Sequence, residues 1–216
     1  MDQSALLNGL LLYLCFIPVL TFHEFAHAWV ASKCGDDTAK NLGRVSLNPA
    51  VHIDTIGTIV LPLLAVTLAA AGSGLAGFII GWGKPVPVNI NNLHNPRRDD
   101  TLVALAGPAM NILLAAVIMG GLKIGILTGS HILVEMCNNL ILVSLFLCFF
   151  NLLPIPPLDG SHVLKNAVNM PWETYMRLAQ YGFIFIIIAV QVPQIRALIA
   201  WATYSTYQLL ASIYRL

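Results

Sequence analysis

Charged residues are the scarcest feature of this 216-residue chain: Asp, Glu, Lys and Arg together make up 10%, where an average soluble domain carries about 25%. With 57% hydrophobic residues and a mean hydropathy of +0.78, that shortage excludes a solvated globular protein and implies several passages through a membrane. A net charge of +1 leaves no basic surface for nucleic acid. Of the four cysteines, Cys15, Cys137 and Cys148 lie in apolar runs and Cys34 just outside one. No pair has zinc-ribbon or redox spacing, so they read as small packing residues and not as disulfide staples. The first ten residues contain Asp2 and no basic group, which argues against a removable signal peptide. No internal repeat, low-complexity tail or inserted soluble domain is visible.

What the chain has instead is apolar runs, at about 5–31, 56–80, 102–122, 132–153 and 181–192, with a weaker one at 195–213. The first, third and fourth are long enough to cross a bilayer as helices, at roughly 20 residues each. The fifth is short and Pro193 separates it from the sixth, so these are either two tilted spans or one broken hairpin. The run 56–80 contains Pro62, Gly72, Gly74 and Gly77 and makes a poor straight helix. Two polar loops flank it, 33–55 and 81–100. In the second, Lys84-Pro85-Val86-Pro87-Val88-Asn89 alternates proline in a way that forbids helix and suggests an extended, β-like segment. The expected fold is an all-α polytopic bundle of about five or six hydrophobic segments, forming one domain over 1–216 with a core at about 5–170 and C-terminal helices at about 171–216.

The first run holds no Lys, Arg or Asp; its one charged residue is Glu24, inside His23-Glu24-Phe25-Ala26-His27. This is an HExxH motif. Spacing of i and i+4 puts both histidines on one helix face, where they reach one metal ion, and Glu24 lies beside that face as a base for a metal-bound water. The alternative is a chance motif whose histidines hydrogen-bond between helices. Ionisable groups within a span cost on the order of 2.5–3.5 kcal/mol each on insertion scales, and such groups usually mark function.

Topology follows from charge. With the first span running outside to inside and 56–80 re-entrant, nine basic residues (Lys33, Lys40, Arg44, Lys84, Arg97, Arg98, Lys165, Arg177, Arg215) lie on the inner side and two (Lys123, Arg196) on the outer. A full crossing by 56–80 would move Lys84, Arg97 and Arg98 outside, against the positive-inside rule.

A catalytic zinc site needs a third protein ligand. The fourth run ends in Asn151-Leu152-Leu153-Pro154-Ile155-Pro156-Pro157-Leu158-Asp159-Gly160, and Asp159 is the only acid between Glu135 and Glu173. A membrane-level carboxylate without a nearby Lys or Arg needs a cation, unless it merely caps the helix that follows.

HEFAH, then Gly107-Pro108-Ala109-Met110-Asn111, then Asn-x-x-Pro…Leu-Asp-Gly occur in the order found in the site-2 protease family of intramembrane zinc metalloproteases, which the chain resembles over about 5–170. It is similar to the short branch that lacks PDZ and CBS domains and carries Ser-Leu-Asn-Pro and Gly-Trp-x-Lys-Pro-Val-Pro-Val-Asn segments. The longer apolar stretch 56–80 departs from the pattern. The resemblance implies one zinc per chain held by His23, His27 and Asp159, with Glu24 as general base and acid. It also implies cleavage of the transmembrane helix of single-span membrane proteins, with the enzyme in the cell membrane and its site nearer the cytoplasmic side. Asn111, with Gly107, would then line the site and meet the substrate backbone or oxyanion; their other reading is helix packing. Residues 84–89 read either as a strand-addition edge for an unwound substrate or as a Pro-rich loop. His52 with Asp54 reads as a support for the site or, preferably, a capped turn. His94, His131 and His162 fall at loops or boundaries, His162 nearest the site, and the four tryptophans fit interfacial anchors. An intramembrane ion or proton transporter would spread polar groups through the membrane thickness or repeat its halves, and an inactive scaffold would have lost one of the four groups.

Overall fold

Helix α1 (Gln3–Lys33) begins on Asp2, whose carboxylate accepts the N–H of Ser4 at 2.9 Å, and runs 31 residues before the chain turns through α2 (Thr38–Asn41). The structure is a computed structural model that describes residues 2–78 and 81–216; the last two positions of the second apolar run, Ile79 and Ile80, lie outside the described residues. That run folds back on itself. Asp54 caps a wide helical turn, Thr55–Val60, that continues into α3 (Leu61–Ala70), and the Ala70 carbonyl accepts the N–H of Asp2 at 2.9 Å beside the start of α1. The returning chain then reaches Trp82, whose N–H donates to the Gly57 carbonyl at 3.0 Å.

Helix α4 (Pro96–Thr128) starts where α1 ends, the His94 N–H donating to the Cys34 carbonyl at 2.9 Å. Asn95 and Asp99 cap it reciprocally: the Asn95 side chain takes the Arg98 N–H, and Asp99 takes the N–H of Asn95 at 2.7 Å. Helix α5 (His131–Asn151) returns, and α6 (Asp159–Ala167), α7 (Trp172–Ala179), α8 (Gly182–Gln191) and α9 (Pro193–Tyr214) complete the described chain. Met119, Ile141, Leu145 and Leu210 form one core between α4, α5 and α9; Phe150, Leu153, Leu158, Ile186 and Ile199 form another below it. The outward faces are apolar: Val117 and Leu127 on α4 are 64% and 76% exposed, which water would not tolerate over a continuous surface.

Three helices, α1, α4 and α5, are long and apolar enough to cross a membrane, and a fourth span counts if α7 and α8, bent by 60°, are one broken crossing. Of the five or six hydrophobic segments expected, these are the ones that qualify as spans. Pro62 and the glycines leave only a ten-residue α3 from the run 56–80, and α9 has the length but is diluted by Gln194, Arg196, Thr203 and Gln208. Helix α8 spans ten residues, about 15 Å, against a hydrocarbon core of about 30 Å. It is too short to cross alone, and α9 makes its run in the opposite sense to that expected. Its end meets the far end of α4, where Lys123 Nζ donates to the Tyr214 carbonyl at 2.7 Å. Arg215 therefore joins Lys123 and not Lys33, a correction to the charge count; the folding back of 56–80 rests on the contacts above.

No strand occurs among the described residues, and 84–89 is irregular chain. It is held at both ends. The Lys84 N–H donates to the His52 carbonyl (2.9 Å), Arg44 Nη2 donates to the Lys84 carbonyl (2.5 Å), and the fully buried Asp36 accepts from the Asn89 N–H (2.6 Å) and Asn92 Nδ2 (3.0 Å). Burial opposes charge on Asp36, but the hydrogen bonds from Thr38, Asn89 and Asn92 outweigh it and hold its carboxyl below the ordinary value. A depressed folded-state pKa contributes stability that is present above the unfolded value, 3.8, and lost as pH falls through the lower folded one. Asp36→Asn is expected to speed amide exchange at Asn89 by about tenfold or more, a charged acceptor being worth about 1.5–3 kcal/mol. In the unsubstituted protein the same amide should stay protected from neutral pH down to about 4 and loosen only in stronger acid.

Candidate active site

His23 and His27 project from α1 one turn apart, and each ring is fixed from behind by α4. His27 Nδ1–H donates to the Val103 carbonyl at 2.7 Å, which leaves a lone pair on Nε2. His23 Nδ1 lies 3.1 Å from the side-chain amide of Asn111. Asn111 is fully buried, Ser144 Oγ donates to its carbonyl at 2.8 Å, and its side-chain oxygen has no partner. Turning that amide over places the oxygen on His23 Nδ1–H and leaves a lone pair on Nε2 here too. Asn111 thus meets the ring, not the open cavity. Gly107 sits against the other side of the rings. A Cβ there would collide with His27 Nε2 and come within 2.5 Å of His23 Cε1 and 2.7 Å of its Nε2.

Asp159 arrives from the opposite side. Prolines 154, 156 and 157 end the helical course of α5, and Leu153 and Leu158 anchor the loop in the lower core. Gly160 lets α6 start against that loop: a Cβ would strike the Leu152 carbonyl and lie 2.7 Å from the Leu153 oxygen. Asp159 does not cap α6, whose N-cap position is Leu158 with no side-chain cap bond. It turns to the imidazoles, with Oδ2 3.2 Å from His23 Nε2 and Oδ1 3.4 Å from His27 Nε2. Helix α6 is fastened to α4 by the buried Asp100, which accepts Lys165 Nζ (2.8 Å), Asn166 Nδ2 (2.7 Å) and His162 Nδ1 (3.1 Å). Removing one partner of a buried pair such as Asp100–Lys165 costs about 3–5 kcal/mol.

The two Nε2 atoms are 3.0 Å apart, and with lone pairs on both no hydrogen bond joins them. Asp159 Oδ2, although near His23, is buried and accepts no hydrogen bond. Two imidazole nitrogens and a carboxylate within 4.8 Å of one another form the one metal-competent group of His, Cys, Asp and Glu among the described residues, and the donor set suits a divalent cation with a position to spare. Glu24 lies in the wall of the same cavity, of about 700 Å³, with Val86 and His162.

Other histidines stand elsewhere. The His52 ring donates to the Ser46 carbonyl (2.8 Å) while Asp54 caps Ile56 and Gly57, so the two form a turn and not a pair; His131 opens α5 and His94 packs by Gly35. Asp36, Arg44, Asp100 and Lys165 were not singled out from sequence. The pair Asp99-Asp100 was visible, but only the fold separates the capping carboxylate from the one bonded to residues 62–66 positions later.

A membrane-type helical bundle with a metal-competent site beside a glutamate is the architecture of a metallopeptidase. The chain belongs to peptidase family M50, which matches residues 11–131 and 124–190. It is 37% identical over 190 residues to a Bacillus subtilis protein named "Putative zinc metalloprotease YwhC", covering 84% of this chain and 80% of that one. Proteins named "Putative zinc metalloprotease Rip2" are 31% identical in Mycolicibacterium smegmatis (81% of this chain, 64% of that one) and 28% identical in Mycobacterium tuberculosis (91% and 73%). No solved structure matches.

Gly107→Ala is expected to push both imidazoles off their common point and to lower bound divalent metal at least about tenfold, a penalty of roughly 1.4 kcal/mol or more. Metal analysis of the purified protein, with helical circular dichroism unchanged, measures this.

Proposed function

We propose that this chain is an intramembrane zinc metalloendopeptidase that cuts a peptide bond in or near the transmembrane helix of single-span membrane proteins. The observation that carries this reading is the convergence of His23, His27 and Asp159 beside Glu24 in one cavity wall. Those three side chains would hold the zinc. When bound, it supplies Lewis acidity to the scissile carbonyl and brings the pKa of its water down to about 7. Glu24 takes the proton of the attacking water and gives it to the leaving amine. Asn111 and Val103 keep the two rings turned toward the ion.

Two features support a membrane-embedded substrate. An apolar groove of about 1140 Å³ between α1, α3, α5 and α9 adjoins the cavity, sharing Phe16, Gly81, Leu147 and Phe150 with it, and offers a helix a sideways route to the site. Between the clamped Lys84 and Asn89, the backbone amides of Val86 and Val88 make no hydrogen bond among the described residues. Both valines line the cavity, so an unwound substrate would find an unpaired edge there. Lys33, Lys40, Arg97 and Arg98 gather at the active-site end, which favours a cytoplasmic-side site in the cell membrane, with 56–80 as the re-entrant element.

In proteoliposomes with a single-span substrate, Glu24→Gln is expected to abolish cleavage and keep about one zinc per chain. Asp159→Ala is expected to lose both activity and zinc. Turnover by the Glu24→Gln protein would refute the mechanism.

A further inference from the structure

His162 belongs to the polar cluster that fastens α6, yet it also faces the cavity. It follows Asp159 by three residues, so the two side chains share a face of α6. Its Nδ1 lies 3.1 Å from Asp100 Oδ1, and its ring meets Tyr175 edge-on at 5.1 Å. These contacts fix the ring plane and point Nδ1–H at the carboxylate, which directs Nε2 into the cavity as the acceptor of the neutral ring. The side chain remains 28% exposed in the wall that holds Glu24 and Asp159, and Nε2 makes no hydrogen bond among the described residues. Lys165, 2.8 Å from Asp100, already matches the carboxylate charge, so Asp100 serves His162 as an orienting acceptor.

Much of the remaining wall is apolar: Val103, Leu147, Phe150 and Ile186 offer no acceptor side chain, and Asn151 and Gln180 are its side-chain amides. A chain unwound for cleavage brings free backbone N–H groups into that wall, and one buried without an acceptor weakens binding by roughly five- to a hundredfold. We propose that His162 is a substrate-contacting residue whose Nε2 accepts a backbone N–H of the chain being cut, beside the scissile peptide. The inference rests on the peptidase reading and adds to it a second substrate-binding wall, opposite in hydrogen-bonding sense to the backbone amides of Val86 and Val88.

A pair of amide substitutions separates contact with substrate from support of α6. In His162→Gln the longer side chain carries an oxygen to where Nε2 lies but gives up Nδ1; in His162→Asn the amide keeps the link to Asp100 and leaves the cavity without its acceptor. Full-length proteins in proteoliposomes, assayed for kcat/KM on a single-span substrate and for zinc content, should all keep about one zinc per chain. His162→Asn should lose about tenfold or more in kcat/KM, mainly through KM, and His162→Gln should stay within about fivefold of the parent. The reverse order, equal activity of all three, or loss of zinc from His162→Asn overturns the proposal. Failure of the peptidase reading shows separately, as no cleavage by the unsubstituted zinc-loaded protein.

Discussion

Two imidazole lone pairs and a carboxylate turned on one another away from water repel unless a positive charge stands between them, and the rest of the bundle is arranged to hold them there. A proton can join two of the three donors but not all of them, and Asp159 Oδ2 is left without a hydrogen bond. In a low-dielectric interior such a group is expensive, so the elements that impose it must be strongly fixed. Helix periodicity fixes the two histidines relative to each other. Everything else is tertiary: the bare Cα of Gly107 that admits the rings, the carbonyl of Val103 behind one, and the amide of Asn111 behind the other.

The same economy governs the polar groups away from the site. Asp36 and Asp100 are both buried, and each is satisfied by several donors. Asp36 draws its partners from α2 and from the segment after Asn89, thereby tying down irregular backbone that has no ladder of its own. Asp100 draws its partners from α6, thereby setting where Asp159 begins. These carboxylates sit toward the end of the bundle where α1 stops and α4 starts, while the far end is filled by Met119, Ile141 and Leu210. Charge is scarce in this chain, and where it is buried it serves as a fastener.

How much of this could be read from the residues follows from the range of the forces involved. His23, Glu24 and His27 are related by local periodicity inside an unbroken apolar run, so their shared face was legible. Asp159 was legible because it is an isolated acid after a proline-broken run. The first, third and fourth apolar runs gave α1, α4 and α5. The course of the last two runs was not legible where length and composition disagree, at the ten-residue α8 and the diluted α9, and with it the position of Arg215. Asn111 was singled out for a polar role, but its partner is the back of the His23 ring, which no spacing within α4 reveals. The pairing of Asp100 with Lys165 was invisible for the same reason: a salt bridge between residues 65 apart leaves no local trace.

The proposed reaction carries a cost that the cavity must help to meet. A peptide bond in a membrane helix is shielded, and unwinding it exposes N–H and C=O groups that cost several kcal/mol each when left unpaired in lipid. Part of this can come from the substrate, since Gly and Pro already weaken a helix by about 1–3 kcal/mol. The rest must come from partners held ready before the chain arrives. Among the described residues Val86 and Val88 keep unpaired amides because Pro85 and Pro87, which alternate with them, can neither donate nor become helical, and the clamps at Lys84 and Asn89 prevent that edge from collapsing onto its neighbours. Trp82 and Phe183, edge to face at 5.8 Å, bring this segment against α8 in the cavity wall. A site built this way pairs poorly with an intact helix, whose amides are already satisfied, so its hydrogen bonds are spent only on a chain that has begun to open.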